Sequence, residues 1–297
     1  MLTIPEPLAT GTIAREGEPG RAWIRQLPAL AEKYLRLWNC EPAGAITAGA
    51  VGLIIPVDCA YGPAVLKISF THPGNADESR ALRVWGGDGA VRLFEDAPDD
   101  FALLIERVRN RQLDLPDDEA IEVAGQLLRR LAVPAPAEMP TLASQAAGWE
   151  EQLLDQDRRT GHPLPDRILG AALETIRDLA QDRTPTMTHG DLHAGNILDS
   201  DRGWLTIDPK GVAGNPAHDA MTMMLYGHQH VMAAVDVRSE LERRLMIFCD
   251  ASGADLDWAR RLTQARFVSA VLWERLVNDL VADPSVDIRA AGAELLL

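Results

Sequence analysis

Residues 186–211 read TMTHGDLHAGNILDSDRGWLTIDPKG, and this stretch decides how the rest of the chain is interpreted. A His-Gly-Asp triplet comes first, and Asn196 follows five residues after Asp191. Two short apolar segments separated by a polar turn then predict a β-hairpin that ends at Asp208. Two carboxylates and an amide oxygen are hard ligands, which suit a magnesium ion that also holds substrate phosphates. The stretch therefore predicts a site that handles phosphate groups.

Kinases use the same order of groups: a catalytic-loop aspartate takes the hydroxyl proton, while an asparagine and a downstream aspartate hold metal. The segments HGDLHAGN and WLTIDPKG resemble the aminoglycoside phosphotransferase superfamily. The IDPKG ending is most similar to the streptomycin 6-phosphotransferase and hydroxyurea phosphotransferase family. The resemblance implies a bilobal, protein-kinase-like α+β fold. It also implies an antibiotic-resistance kinase that uses ATP and Mg²⁺ to phosphorylate a hydroxyl group of a small molecule, such as streptomycin or hydroxyurea.

The central stretch supplies most of the expected site. Phosphoryl transfer depends mainly on positioning and charge neutralisation. Asp191 is accordingly predicted to be the catalytic base, and Asn196 and Asp208 are predicted to be metal ligands. His189 is predicted to support the loop by hydrogen bonding. Asp219 follows a proline-containing turn and is interpreted as a loop-bracing or helix N-terminal residue.

The expected nucleotide-binding residues precede this stretch. Lys67 lies in the apolar segment VLKI, where a charge needs a partner, and its compact ammonium suits phosphate oxygens. Glu78 lies on a predicted helix and corresponds to the acid that pairs with the strand lysine of kinases. The segment FALLIERV is expected to lead into the connection between lobes, so that the adenine of ATP bonds to backbone groups near Glu106 and Val108.

Two further residues leave alternatives open. Lys210 stands two positions after Asp208, where many small-molecule kinases of the superfamily carry a second acid. It is expected to contact either phosphate or a neighbouring carboxylate. His193 could join His189 and Asp191 in the metal site of a hydrolase. The HxH and HExxH patterns typical of such sites do not accompany these residues.

Composition argues against several classes of function. The 297-residue chain has a formal net charge of -15, which disfavours nucleic acid and anionic membranes as partners but is compatible with a cationic small substrate. No apolar run has membrane-spanning length, and the N-terminus lacks the features of a signal peptide. Cys40, Cys59 and Cys249 are too widely spaced for a disulfide framework and are expected to be buried, reduced thiols of a cytoplasmic protein.

The chain changes character near residue 108. The first twenty residues show no periodicity and predict an irregular lead-in, while 21–38 have helical spacing. The prediction is an N-terminal lobe over 1–108, with a leading helix, a nucleotide-binding sheet and one more helix. A helical lobe with the catalytic loop and the substrate pocket follows over 109–297. Strands are expected within 45–70, 90–94, 101–108 and 204–207, and helices over 75–86, 117–131, 142–159, 165–182 and 256–281.

Other readings remain beside the small-molecule kinase. The second hypothesis is a nucleotide-binding regulator with this fold and no turnover, and the complete set of Asp191, Asn196 and Asp208 weighs against it. A protein kinase is disfavoured because no Ala-Pro-Glu element follows Asp208.

Overall fold

The computed structural model describes residues 2–49, 51–277 and 286–295. The chain divides into two compact units. Residues 1–110 and 207–210 form the first unit, and 111–206 with 211–297 form the second. Each unit has its own hydrophobic core. Within the part of the chain that is described, no helix combines the length and hydropathy that crossing a membrane requires.

The first unit is a long helix, an antiparallel sheet and a short helix. Its elements are α1 (Glu6–Leu37), β1 (Glu41–Pro42), β2 (Thr47–Ala48), β3 (Gly52–Cys59), β4 (Gly62–Ser69), α2 (Glu78–Trp85), β5 (Leu93–Ala97) and β6 (Ala102–Glu106). The strand order is β1-β3-β4-β6-β5, and β2 also pairs with β3.

Helix α1 corrects the prediction of an irregular lead-in, because it begins at Glu6 rather than near residue 21. Gly17, with φ of 64°, kinks the helix, and a glycine adopts this left-handed conformation without steric cost. Leu8 and Thr12, one helical turn apart, are buried. Leu8 packs into the core beneath the sheet, so tertiary packing stabilises a segment whose own sequence shows little periodicity.

The β3–β4 hairpin positions the first of the expected site residues. Alternate residues of these strands, including Leu53, Ile55, Leu66 and Ile68, are fully buried and form the core. Lys67 pairs in register with Ile54 and projects to the opposite face, since successive side chains of a strand alternate. That alternation separates the lysine from the apolar face.

The second unit is mainly helical. Its elements are α3 (Asp117–Leu131), α4 (Leu142–Arg159), α5 (Asp166–Gln181), β7 (Met187–Thr188), β8 (Ile197–Leu198), β9 (Leu205–Thr206), β10 (Val212–Ala213), α6 (Ala220–Met224), α7 (His228–Ala233), α8 (Val237–Ser252), α9 (Leu256–Val277) and α10 (Val286–Leu295). Strand β7 pairs with β10, and β8 pairs with β9.

Most predicted elements are present with shifted ends. The predicted hairpin after Asn196 is formed by β8 and β9, although β9 covers only Leu205–Thr206. The predicted strand over 90–94 begins instead at Leu93. Helix α9 begins at Leu256 as predicted, and the predicted continuation over 278–281 lies outside the described residues.

Candidate active site

In the first unit, Lys67 lies at the centre of a charged cluster. Its Nζ donates to Oε1 and Oε2 of Glu78, at 2.7 and 2.8 Å, and to Oδ1 of Asp208 at 2.7 Å. An ammonium group has three N–H donors, so these contacts engage all of them. The structure therefore forms the expected Lys67–Glu78 ion pair and adds Asp208 to it.

Burial strengthens the electrostatics of this cluster. Only 4% of Lys67 and 3% of Glu78 is exposed. Burial lowers the pKa of Lys67, but attraction to Glu78 and Asp208 outweighs it, and the net shift is upward. Lys67 is therefore charged at any physiological pH, as a phosphate-binding cation must be.

Asp208 has an unusual backbone conformation. Its φ is 57°, in the left-handed region that few residues other than glycine adopt, although aspartate tolerates it better than most. Its side chain remains 41% exposed while Oδ1 receives the Lys67 contact. Strained backbone of this kind is concentrated at functional sites, where the surrounding structure holds it in place.

Lys210 lies beside the same cluster. Its Cδ is 3.7 Å from the position that a Cβ on Gly74 would take. Its positive charge also acts to lower the pKa of Glu78, which burial raises overall. Of the two alternatives from the sequence, the structure shows the proximity to a carboxylate.

The segment expected to contact adenine begins where β6 ends. The amide N–H of Glu106 donates to the Arg92 carbonyl at 2.8 Å, and its carboxylate accepts from the Arg92 amide at 3.1 Å. Val108 is half-buried in the irregular segment that follows. The Glu106 amide is thus already paired with Arg92.

In the second unit, Asp219 holds the loop that carries Asp191. Its Oδ2 accepts from the backbone N–H of His189 and its Oδ1 accepts from that of Gly190, both at 2.8 Å. Gly190 has φ of 80°, which makes the turn before Asp191 easy for glycine and difficult for other residues. Asp219 is fully buried, so its role is the loop-bracing one of the two that the sequence suggested.

The backbone of Asp191 is held on both sides. Its N–H donates to Nδ1 of His189 at 3.3 Å, in line with the supporting role predicted for that histidine. Its carbonyl accepts from Nδ2 of Asn196 at 3.0 Å. These bonds fix the backbone at Asp191, which is itself half-buried.

Burial raises the pKa of Asp219 to about 6, although Arg266 and the two backbone N–H groups act to lower it. The half-buried Arg266 donates to the His218 carbonyl at 2.7 Å and supplies the opposing charge. Sequence reasoning missed Arg266, because nothing in the surrounding helix α9 distinguishes it from the other arginines.

Comparison with known proteins decides the family. Residues 37–276 match the family described as aminoglycoside/hydroxyurea antibiotic resistance kinase. This chain belongs to that family. It is 32% identical to a streptomycin 6-kinase of Streptomyces glaucescens, over 96% of this chain and 95% of the relative. It is also 32% identical to a hydroxyurea phosphotransferase of Kitasatospora aureofaciens, over 100% and 86% of the two chains.

Solved structures support the same fold. A choline kinase from Streptococcus pneumoniae superimposes with a TM-score of 0.56 at 13% identity, covering 92% of this chain and 99% of that one. An aminoglycoside phosphotransferase in a ternary complex with ADP and hygromycin B gives a TM-score of 0.56 at 10% identity, covering 89% and 95%. The chain is thus a small-molecule kinase with the bilobal α+β fold of this group.

The donor atoms of this kinase fit a hard cation. Asp208 offers a partly exposed carboxylate, and the Nδ2 bond of Asn196 to the Asp191 carbonyl assigns Oδ1 as the atom suited to coordination. Among the residues that are described, no group of three or more His, Cys, Asp and Glu side chains could hold a metal ion. His189, Asp191 and His193 therefore do not form the zinc set considered from the sequence.

Proposed function

We propose that this kinase transfers the γ-phosphate of ATP to a hydroxyl group of an aminoglycoside of the streptomycin type. Asp191 orients the acceptor hydroxyl and takes its proton. Lys67, kept charged by Glu78, binds phosphate oxygens. Asn196 and Asp208 hold Mg²⁺, which when bound neutralises the charge of the phosphates. The similarity to streptomycin 6-kinase along nearly the whole chain carries this proposal.

The hydrogen bonds of Lys67 imply an exchange of partners when nucleotide binds. All three of its donors contact Glu78 or Asp208. A phosphate oxygen can therefore be accommodated only if one of these bonds is given up. Asp208 is the partner to be displaced, because it is far more exposed than Glu78 and makes one contact rather than two. Its release from Lys67 would make its carboxylate available to Mg²⁺.

Two lobes divide the work in this proposal. The N-terminal lobe, 1–108, binds ATP through Lys67, Glu78 and the backbone near Glu106 and Val108. The C-terminal lobe, 109–297, supplies the catalytic loop and the substrate pocket, although its residues 207–210 group with the first compact unit. We place the reaction in the cytoplasm, where ATP is available.

An acidic concavity in the second unit supports a cationic substrate. It has a volume of about 840 Å³, which lies in the range of ligand pockets. Its charged lining comprises Asp114, Asp117, Asp118, Glu119 and Glu240 against Arg243 and Arg244. Arg243 and Arg244 already pair with Asp117, Asp118 and Glu240. The attraction of this concavity for the guanidinium and ammonium groups of an aminoglycoside therefore rests on Asp114 and Glu119.

Hydroxyurea is the second candidate acceptor, because a hydroxyurea phosphotransferase matches the full length of this chain. The test is ADP release from Mg-ATP with streptomycin, other aminoglycosides, hydroxyurea or simple sugars as acceptor. Turnover with streptomycin supports the proposal, and turnover only with hydroxyurea selects the second candidate. Nucleotide-dependent thermal stabilisation without turnover on any acceptor would instead identify a non-catalytic regulator.

A further inference from the structure

Two of the three cysteines lie opposite each other on paired strands of the first unit. Strand β1 pairs with β3 so that Glu41 faces Asp58 and Pro42 faces Val57. One step further along the same register, Cys40 faces Cys59. Both thiols are free, and Cys59 is near enough to act on the pKa of the Cys40 thiol. The Cys40 thiol donates to the Trp38 carbonyl at 3.5 Å, and the Cys59 thiol donates to the Gly62 carbonyl at 3.4 Å. The sequence spacing of 19 residues had suggested no such pairing.

The β1–β3 ladder also determines whether Cys40 and Cys59 occupy a hydrogen-bonded or a non-hydrogen-bonded position. The Ala43 amide donates to the Pro56 carbonyl at 2.8 Å, so these residues form a hydrogen-bonded pair. Hydrogen-bonded and non-hydrogen-bonded pairs alternate along an antiparallel ladder. Three residues away, Cys40 and Cys59 fall at a non-hydrogen-bonded position, where Cα atoms are about 4.5 Å apart and side chains are closest. Disulfides need a Cα separation of roughly 4.4–6.8 Å, so the backbone has no need to move.

We propose that Cys40 and Cys59 form a reversible oxidation site, at which a peroxide converts the dithiol into a disulfide that fastens the end of helix α1 to strand β3. The Cys59 thiolate attacks the peroxide, an S–O bond forms, the O–O bond breaks, and hydroxide leaves. The Cys40 sulfur then attacks the sulfenic acid, an S–S bond replaces the S–O bond, and water leaves with the Cys40 proton. The dithiol loses two electrons and the peroxide gains them.

The surroundings assign the order of these steps. Cys59 is partly exposed, contrary to the expectation that all three thiols are buried, whereas Cys40 is buried. Burial raises the pKa of the Cys40 thiol to about 11, which makes it a poor first target for an oxidant. Cys40 also follows helix α1 closely, and its amide donates to the Leu35 carbonyl at 2.8 Å. A disulfide here would thus join the helix end to the sheet that carries Lys67.

The test is to treat the purified full chain with hydrogen peroxide, remove the oxidant, and measure intact mass, melting temperature and, after unfolding in denaturant, alkylation of each cysteine. The proposal expects the loss of two hydrogens, protection of Cys40 and Cys59 from alkylation, and a melting temperature raised by roughly 5–10 °C. Dithiothreitol should reverse all three changes. Cys249→Ser serves as the matched control and should behave as the wild type.

Cys40→Ser and Cys59→Ser should each abolish both the mass loss and the rise in melting temperature. Because the wild-type measurements need no variant, a misfolded Cys40→Ser would not obscure the result. The proposal is overturned if Cys40 and Cys59 stay open to alkylation after oxidation. A disulfide that involves Cys249 or a second chain, or one that lowers the melting temperature, would also overturn it.

Discussion

The ammonium of Lys67 lies 2.7 Å from Oδ1 of Asp208, although the two residues are 141 positions apart in the chain. Strand β4 carries the lysine, and the end of the hairpin in the central sequence stretch carries the aspartate. The contact places the expected phosphate cation and one expected metal ligand in a single cluster with Glu78.

Replacing Lys67 by methionine should destabilise the fold as well as stop catalysis. Glu78 would remain buried without its partner, and an uncompensated buried charge costs about 3–5 kcal/mol of unfolding free energy. The double variant Lys67→Met/Glu78→Gln should recover most of this stability but no activity. Denaturant unfolding and ADP release measure the two effects. The matched control is Lys33→Met, which removes an exposed ion pair with Asp100 and should change stability far less.

Asp208→Asn should still bind nucleotide, but its affinity should no longer depend on Mg²⁺. The variant keeps the size of the side chain but loses the charge that attracts the cation. Calorimetric titration with ADP should show tighter binding with Mg²⁺ in the wild type and little effect of Mg²⁺ in the variant. Equal dependence on Mg²⁺ in both proteins would remove Asp208 from the metal site. Asp201→Asn, in the exposed turn of the same hairpin, is the control.

Asp219 should make stability depend on pH in a defined direction. Its pKa is raised from 3.8 to about 6, so the folded state binds a proton that the unfolded state has already lost. This contribution is fully present below about pH 3.8 and is lost as the pH rises through 6, and it amounts to about 3 kcal/mol. Relative to Asp219→Asn, the wild type should therefore lose stability between pH 4 and 6 and change little above. Unfolding of both proteins across this range is the measurement, and parallel curves would contradict the prediction.

Two helix glycines should respond in opposite directions to substitution by alanine. A Cβ on Gly125 would lie 2.7 Å from Cβ of Ala251, where α3 packs against α8, so Gly125→Ala should cost about 1–3 kcal/mol. A Cβ on Gly170 would meet nothing within 4 Å, so Gly170→Ala should stabilise the protein by roughly 0.5–1 kcal/mol through helix propensity. Thermal unfolding of the two variants shows directly whether each substitution raises or lowers stability. If Gly125→Ala instead stabilised the protein, α3 and α8 would be able to move apart without a loss of stability, which would contradict the prediction.

The sequence was informative wherever a local pattern imposed a physical requirement. A lysine within an apolar strand needs a buried acid, and the structure supplies Glu78. The hairpin after Asn196 follows from two apolar segments around a polar turn. The functional roles of Asp191, Asn196 and Asp208 remain predictions.

Features that depend on distant packing could not be predicted. Helix α1 is interrupted by Gly17 and Pro19, and it is held by burial of Leu8 against strands that come later in the chain. Arg266 opposes Asp219 across 47 residues of sequence, and no local pattern connects them. The facing cysteines emerge only from the register of β1 and β3.

The central claim is that Asp191 takes the proton of a streptomycin hydroxyl as the γ-phosphoryl group of ATP is transferred to it, and the phosphorylated product tests this claim most directly. Wild type and Asp191→Asn would be incubated with Mg-ATP and streptomycin, and the antibiotic analysed by mass spectrometry. The account predicts streptomycin carrying one added phosphoryl group, formed about 10²–10⁴-fold more slowly by the variant at unchanged melting temperature. Phosphorylation at equal rates by both proteins, or unmodified streptomycin from an active wild type that consumes ATP on another acceptor, would contradict it.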